Sequence, residues 1–406
     1  MNNTEIVAKL KRLRFELNTL TVFSSLKNDS VLSALTEYIS ALCDENTDLI
    51  DKMSLYCNFA DKLFKNHGDN LSKHIGSIVN DDENVYIRYI CKKREISEVL
   101  KKSVDAELRI LQKVADLKPE ELVSPLEWDG YLPEFLTSEI NIADTYYHRA
   151  ENIGRFGYGI YSRYYMFNTD DDGKIIPVRN PDSQRLNELV DYKREQQIII
   201  DNTKALLAGK PAANILLTGD AGTGKSSTIK AVVNEFKDEG LRILEVKKDQ
   251  LRAIPAVLEE LNENPLKFIL FIDDLSFQYD DDNFAALKAI LEGSVSAKSN
   301  NVVIYATSNR RHMVKETFSG REGDDIHRND SMQETISLSE RFGIHILFRK
   351  PDKFTYLNIV HHLAKEAGLD IPENELDLGA ESFALRRANR SARAARQYVD
   401  SLISAK

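Results

Sequence analysis

The chain is 406 residues long, enough for about two or three domains. It is 42% hydrophobic and 29% charged, ordinary globular usage that excludes wholesale disorder, and Pro and Gly are too sparse for long low-complexity linkers. With 54 Lys plus Arg against 64 Asp plus Glu, the net charge of −10 disfavours a protein built for unspecific nucleic-acid coating. The first residues, MNNTEIVAKLKR, lack the apolar core of a signal peptide, and no later stretch approaches the roughly 18 apolar residues of a membrane span. Cys43, Cys57 and Cys91 have neither metal-ligand spacing nor an even count. These features predict a soluble protein of the reducing cytosol with three buried or half-buried thiols.

Residues 1–118 read as a helical N-terminal domain. Ile6, Leu10, Leu13, Leu17 and Leu20 alternate four- and three-residue steps, and Leu32, Leu35, Tyr38, Ile39 and Leu42 mark a second apolar face. The first stripe is too short to demand a coiled coil, so it reads as a bundle core, and Pro119 supplies a stop. Residues 119–185 read as a mixed connector. Gly154, Gly157 and Gly159 precede an aromatic-rich strand expected over 160–167; an Asp170–Gly173 turn and Lys174–Val178 then complete a β-hairpin. The acidic triplet lacks the remaining spacing of a calcium loop and reads as a solvated turn.

From residue 186 short apolar strands alternate with helical stretches. Strands are expected at Asn214–Thr218, Leu241–Val246, Phe268–Ile272, Val302–Ala306 and Ile344–Phe348. The alternation predicts an α/β fold with a parallel sheet flanked by helices over 186–350, followed by a helical lid over 351–406. The segment Gly219-Asp220-Ala221-Gly222-Thr223-Gly224-Lys225-Ser226 has the full phosphate-loop (Walker A) spacing, between a strand and a helix. Glycines let backbone N–H groups converge on phosphate oxygens at a helix N-terminus. Lys225 is expected on the β- and γ-phosphates, with the Ser226 hydroxyl on Mg²⁺ and Ser227 beside it. Phe268–Ile272 then delivers Asp273 and Asp274 at a strand end (Walker B), Asp273 toward the metal and Asp274 toward an attacking water. The next strand ends in Thr307-Ser308-Asn309-Arg310-Arg311, where Asn309 could bind phosphate or orient water. His361-His362 has no third metal ligand and reads as surface helix residues.

These motifs in order, NILLTGDAGTGKSS, FIDDLSF, VIYATSNRRH and SLSERFGI with a helical lid, resemble the AAA+ ATPase superfamily of P-loop NTPases over about Leu186 to Ala405. In detail they are similar to a bacterial family of AAA+ ATP-binding proteins of unassigned function. The resemblance implies Mg²⁺-dependent hydrolysis of ATP to ADP and phosphate in a homo-oligomer. It implies Asn309 as sensor 1, Arg341 as a finger reaching a neighbouring subunit with Arg310 and Arg311 as competitors, and Arg393 as the lid's sensor 2. Val190, Asp191 and Tyr192 would frame the adenine, with Tyr192 stacking. Two departures stand out: Asp274 replaces the usual glutamate, which would slow turnover, and 313–335 forms a long polar loop. Nucleotide state is expected to be coupled to an unidentified protein partner through the helical domain. The rivals are a nucleotide-dependent binding switch with little turnover and a nucleic-acid loader or initiator. The latter is suggested by Arg386, Arg387, Arg390, Arg393 and Arg396 in the lid.

Overall fold

Helix α1 (Asn3–Asn18) opens with a reciprocal capping box between Asn2 and Glu5 and buries Ile6, Leu10, Leu13 and Leu17 along one side. The computed structural model describes residues 2–170, 172–275, 287–288, 290–291, 300–309, 340–387 and 390–404. Arg310, Arg311 and the loop expected at 313–335 lie outside them. The chain separates into two compact units, Met1–Arg163 and Tyr164–Lys406.

The first unit is helical. Both apolar stripes join one core, in which Leu10, Leu35, Tyr38 and Ile39 are fully buried. Helices α2 (Ser30–Leu42), α3 (Leu49–His67), α4 (Leu71–Asp81), α5 (Val85–Cys91) and α6 (Glu98–Ala115) begin at Asp29, Asp48, Asn70, Asn84 and Ser97, each accepting a backbone N–H of the first turn. Short α7 (Pro119–Val123) carries its proline at the first turn, and α8 (Ile142–Glu151) packs Tyr146 into the core. Buried Glu107 of α6 accepts the backbone N–H groups of Thr21, Val22 and Phe23, closing the turn after α1.

Two local expectations need correction. Cys57 is exposed, because α3 turns Tyr56, Phe59 and Leu63 inward and leaves position 57 outside. The strand expected over 160–167 is split: Ile160–Arg163 is a helical turn, and the strand starts at Met166. Gly157 and Gly159 adopt positive φ, and Asp81 of α4 then accepts hydrogen bonds from Ser162 Oγ and Arg163 Nε, drawing that segment into the helical unit.

The second unit is α/β, with a seven-stranded, mostly parallel sheet. The strands are β1 (Met166–Thr169), β2 (Ile175–Pro177), β3 (Ile215–Gly219), β4 (Leu241–Glu245), β5 (Lys267–Ile272), β6 (Val302–Ser308) and β7 (Ile344–Phe348), in spatial order β2-β1-β4-β5-β6-β3-β7. Strands β1 and β2 form the expected antiparallel hairpin, and every other pairing is parallel. Helices α9 (Lys193–Leu207) and α10 (Lys225–Phe236) pack Ile199, Leu206, Ile229 and Val232 onto Ile215, Leu217, Ile269, Phe271 and Tyr305. The alternate residues Phe268, Leu270 and Ile272 are equally buried, so both faces of the sheet are covered. Helix α11 (Ile254–Asn262) touches β6 and buries Ile254, Val257 and Leu261.

After Pro351 come α12 (Lys353–Glu366), α13 (Glu373–Arg386) and α14 (Ala392–Ser404), which share a small core around Tyr356, Val360, Ala380 and Tyr398. No described helix is long and apolar enough to cross a membrane.

Candidate functional site

The parallel strands β3, β5 and β6 end on the same edge of the sheet, where ligands of open α/β sheets bind. Gly219 closes β3 with φ +145°, and a Cβ there would lie 2.1 Å from the Phe348 carbonyl oxygen, so no other residue fits. Gly222 and Gly224 also adopt positive φ, at +81° and +90°, curving the loop into the first turn of α10. That turn leads with backbone N–H groups and the positive end of the helix dipole. Lys225 is buried yet makes no ion pair with a carboxylate among the described residues. Its Nζ donates to the carbonyl oxygens of Gly219 (2.8 Å) and Asp220 (2.9 Å) and to Asn309 Oδ1 (3.0 Å). Desolvation lowers its pKa, only partly offset by the nearby charges of Asp273, Asp220 and Asp274. Thr223 Oγ1 donates to the Asp220 carbonyl at 2.9 Å; Ala221 is exposed and Ser227 half-buried.

The acids come from the end of β5. Register opposes Ile272 to Ala306, so the residues that follow the two positions meet across the strand ends. Ser226 Oγ donates to Asp273 Oδ1 at 2.7 Å, and Asn309 Nδ2 donates to Asp274 Oδ1 at 2.6 Å. The Asn309 amide therefore bridges Lys225 and Asp274, which fixes its orientation. Asp274 is left-handed, with φ +51°, uncommon for a residue with a Cβ. Thr307, which sequence reasoning did not single out, donates to Asp273 Oδ1 and accepts the Asp274 N–H at 3.0 Å. Nothing local marks it; the only signal is its place two residues before Asn309 on a strand beside the acids.

The lid reaches the loop through the start of α14. The Arg393 N–H donates to the Gly222 carbonyl at 3.3 Å, and a Cβ on Gly222 would approach Ser391 Oγ to 3.0 Å. The exposed Arg393 is close enough to Lys225 for its charge to help lower the lysine pKa, and it makes no ion pair among the described residues. Beside the loop lies a cleft open to solvent, lined by residues that include Val190, Tyr192, Thr223 and Gly224 and, from the lid, Ile359, Leu363 and Arg396. Asp191 and Tyr192 are both left-handed (φ +71° and +58°), a strained pair immediately before α9. The Tyr192 ring packs against Phe348 with centroids 4.9 Å apart, and its hydroxyl donates to the Arg349 carbonyl.

Lys225, Ser226, Asp273, Asp274 and Asn309 are thus brought into one network, with Arg393 and Tyr192 at its margins. Arg341 is not: it precedes the opposite end of β7, where Gly343 lies against Ala213 below the start of β3. His361 and His362 pair with Asp377 and Glu366. No group of three or more metal-ligating side chains of the His, Cys, Asp and Glu types occurs among the described residues.

A site of one hydroxyl and one carboxylate nonetheless suits a small hard cation such as Mg²⁺, which keeps water and phosphate oxygens as its other ligands. Ser226 Oγ and Asp273 Oδ1 are adjacent, and Asp273 Oδ2 makes no hydrogen bond among the described residues. The site residues fit that ion. No curated protein matches the chain. A family model covers residues 162–406, well over half its length, and the chain belongs to that family, described as "Protein of unknown function (DUF815)".

Proposed function

We propose that the protein is a Mg²⁺-dependent ATPase of the AAA+ type, hydrolysing ATP to ADP and phosphate. The observation that carries this reading is the Asn309 amide joining desolvated Lys225 to Asp274 at the mouth of a glycine loop. Lys225, held among the described residues by neutral oxygens, is ready to exchange them for phosphate oxygens, and the N–H groups that open α10 would cradle the same phosphates. Ser226 and Asp273 would hold Mg²⁺, which when bound neutralises phosphate charge. Asp274 takes a proton from water as the water oxygen bonds to the γ-phosphorus. The bond to the β–γ bridging oxygen then breaks, and ADP leaves. Asn309 orients that water, Arg393 meets the γ-phosphate from the lid, and the cleft beside Tyr192 and Val190 takes the adenosine.

A binding switch is the second reading, favoured by one observation: Asp274 has a short side chain already engaged by Asn309. The nucleic-acid reading is weakened because Arg390 is paired with Glu381 and Arg387 lies over Phe383, which removes two arginines from any phosphate-tracking stripe. Fluorescent-nucleotide binding and phosphate release from wild type, Lys225→Ala and Asp274→Asn separate the first two. An ATPase binds and turns over, loses turnover by about 100-fold or more in Asp274→Asn, and loses binding in Lys225→Ala. Binding with no turnover above the Lys225→Ala background selects the switch, and no binding by wild type removes both.

Coupling to a protein partner through residues 1–163 belongs to the same reading and rests on domain order. Identical hydrogen exchange there with ADP and with a non-hydrolysable ATP analogue would remove it.

A further inference from the structure

Three consecutive residues at the end of β6 hold three consecutive residues after β5. Thr307 Oγ1 donates to Asp273 Oδ1 and accepts the Asp274 N–H, while the Thr307 carbonyl accepts the Leu275 N–H at 2.7 Å. Ser308 Oγ donates to the Leu275 carbonyl at 2.8 Å, and Asn309 Nδ2 donates to Asp274 Oδ1. Thr307 and Ser308 are buried, so this stitching is shielded from water. One residue serves both acids: the Thr307 hydroxyl fixes the side chain of Asp273 and the backbone of Asp274.

On the nucleotide-hydrolysis reading, we infer that Thr307 is the positioning residue of the acid pair. Asp273 Oδ1 already receives Ser226 Oγ, Thr307 Oγ1 and the Asp274 N–H, which pins that oxygen and leaves Oδ2 as the one with spare acceptor capacity among the described residues. The same hydroxyl, by accepting the Asp274 N–H, helps hold Asp274 at φ +51°. Without it, Asp273 gains a rotational freedom it must lose again to bind a cation, and the left-handed turn loses a tie. A threonine does what serine does less firmly, because its methyl group restricts χ1. Valine fills the same volume and supplies neither bond.

The test compares wild type, Thr307→Val and Thr307→Ser for fluorescent-ATP binding in EDTA and across a Mg²⁺ titration, with phosphate release alongside. Thr307→Val keeps the EDTA affinity but needs about 10- to 100-fold more Mg²⁺ to reach half of its binding gain, with turnover reduced over a similar range. Thr307→Ser restores most of both. A valine variant with the wild-type Mg²⁺ requirement overturns the assignment, and so does a serine variant as defective as valine. Should valine fail to fold, Thr307→Cys, a weak donor of similar size, carries the same expectation, and a wild-type Mg²⁺ requirement there overturns it. A wild type that binds no nucleotide overturns the hydrolysis reading and this inference with it, whereas a wild type responsive to Mg²⁺ confines any failure to Thr307.

Discussion

Gly219 shows how much of the site is decided by a single missing side chain. The end of β3 passes so close to the end of β7 that a Cβ would stand 2.1 Å from the Phe348 carbonyl oxygen, at a φ of +145°. Gly209 gives a control, since it also adopts positive φ, at +68°, but has open space around its Cβ position. Gly209→Ala should cost about 1 kcal/mol from backbone conformation alone, and Gly219→Ala about 2 kcal/mol more from the clash. Urea titrations of the two variants check this; equal losses would mean that the strand ends can separate freely. At this scale the sequence was most informative where chemistry is local. Lys225, Ser226, Asp273, Asp274 and Asn309 all stand out from motif spacing and converge in the structure. Thr307 does not, because its role depends on the register that opposes Ile272 to Ala306, and register is a long-range property.

At the scale of elements, each of the five strands read from apolar runs is present within about two residues. The error over 160–167 came from the opposite circumstance, a segment whose aromatic composition favours a strand while Asp81 gathers its polar groups into a turn. The lid depends on a comparable polar tie. The Glu381 carboxylate on α13 accepts Arg390 Nε at 3.1 Å and Nη2 at 2.8 Å, and Lys353 at the start of α12 lies 3.5 Å away, so one side chain ties α12 and α13 to the segment that leads into α14. The two-pronged hydrogen bond from Arg390 is the main reason that its pKa is lowered from 4.5. A carboxylate with a depressed folded pKa adds stability that is present above the unfolded value and lost as pH falls through the folded one. Glu381→Gln should therefore loosen the lid by about 1 kcal/mol at neutral pH, read as faster hydrogen exchange in α12–α14. The difference from wild type should close at pH well below 4.5, and a gap that persists there would mean the carboxylate acts by packing rather than charge.

For the whole molecule, the family match begins at residue 162, beside the boundary between the two compact units at Arg163 and Tyr164. All but the last two residues of the helical unit thus lie outside the matched region, and the second unit carries every residue of the Lys225–Asp274 network. What that unit does not bring to its own network is Arg341. It leads into β7 from the end of the sheet opposite the loop, with the whole strand running from Ile344 beside Ile215 to Phe348 beside Gly219 in between. At about 3.3 Å per residue, that is well over 10 Å of strand. An arginine that acts on this chemistry from there must act on a second copy of the chain, and a finger supplied in trans is worth several powers of ten in rate. Mixing Arg341→Ala subunits with Asp274→Asn subunits, each inactive alone, separates the possibilities. Sites that combine an intact acid pair from one subunit with an intact arginine from another should recover phosphate release. No recovery, at concentrations where the wild type assembles, would remove Arg341 from the reaction. An Arg341→Ala protein active by itself would do so before any mixing.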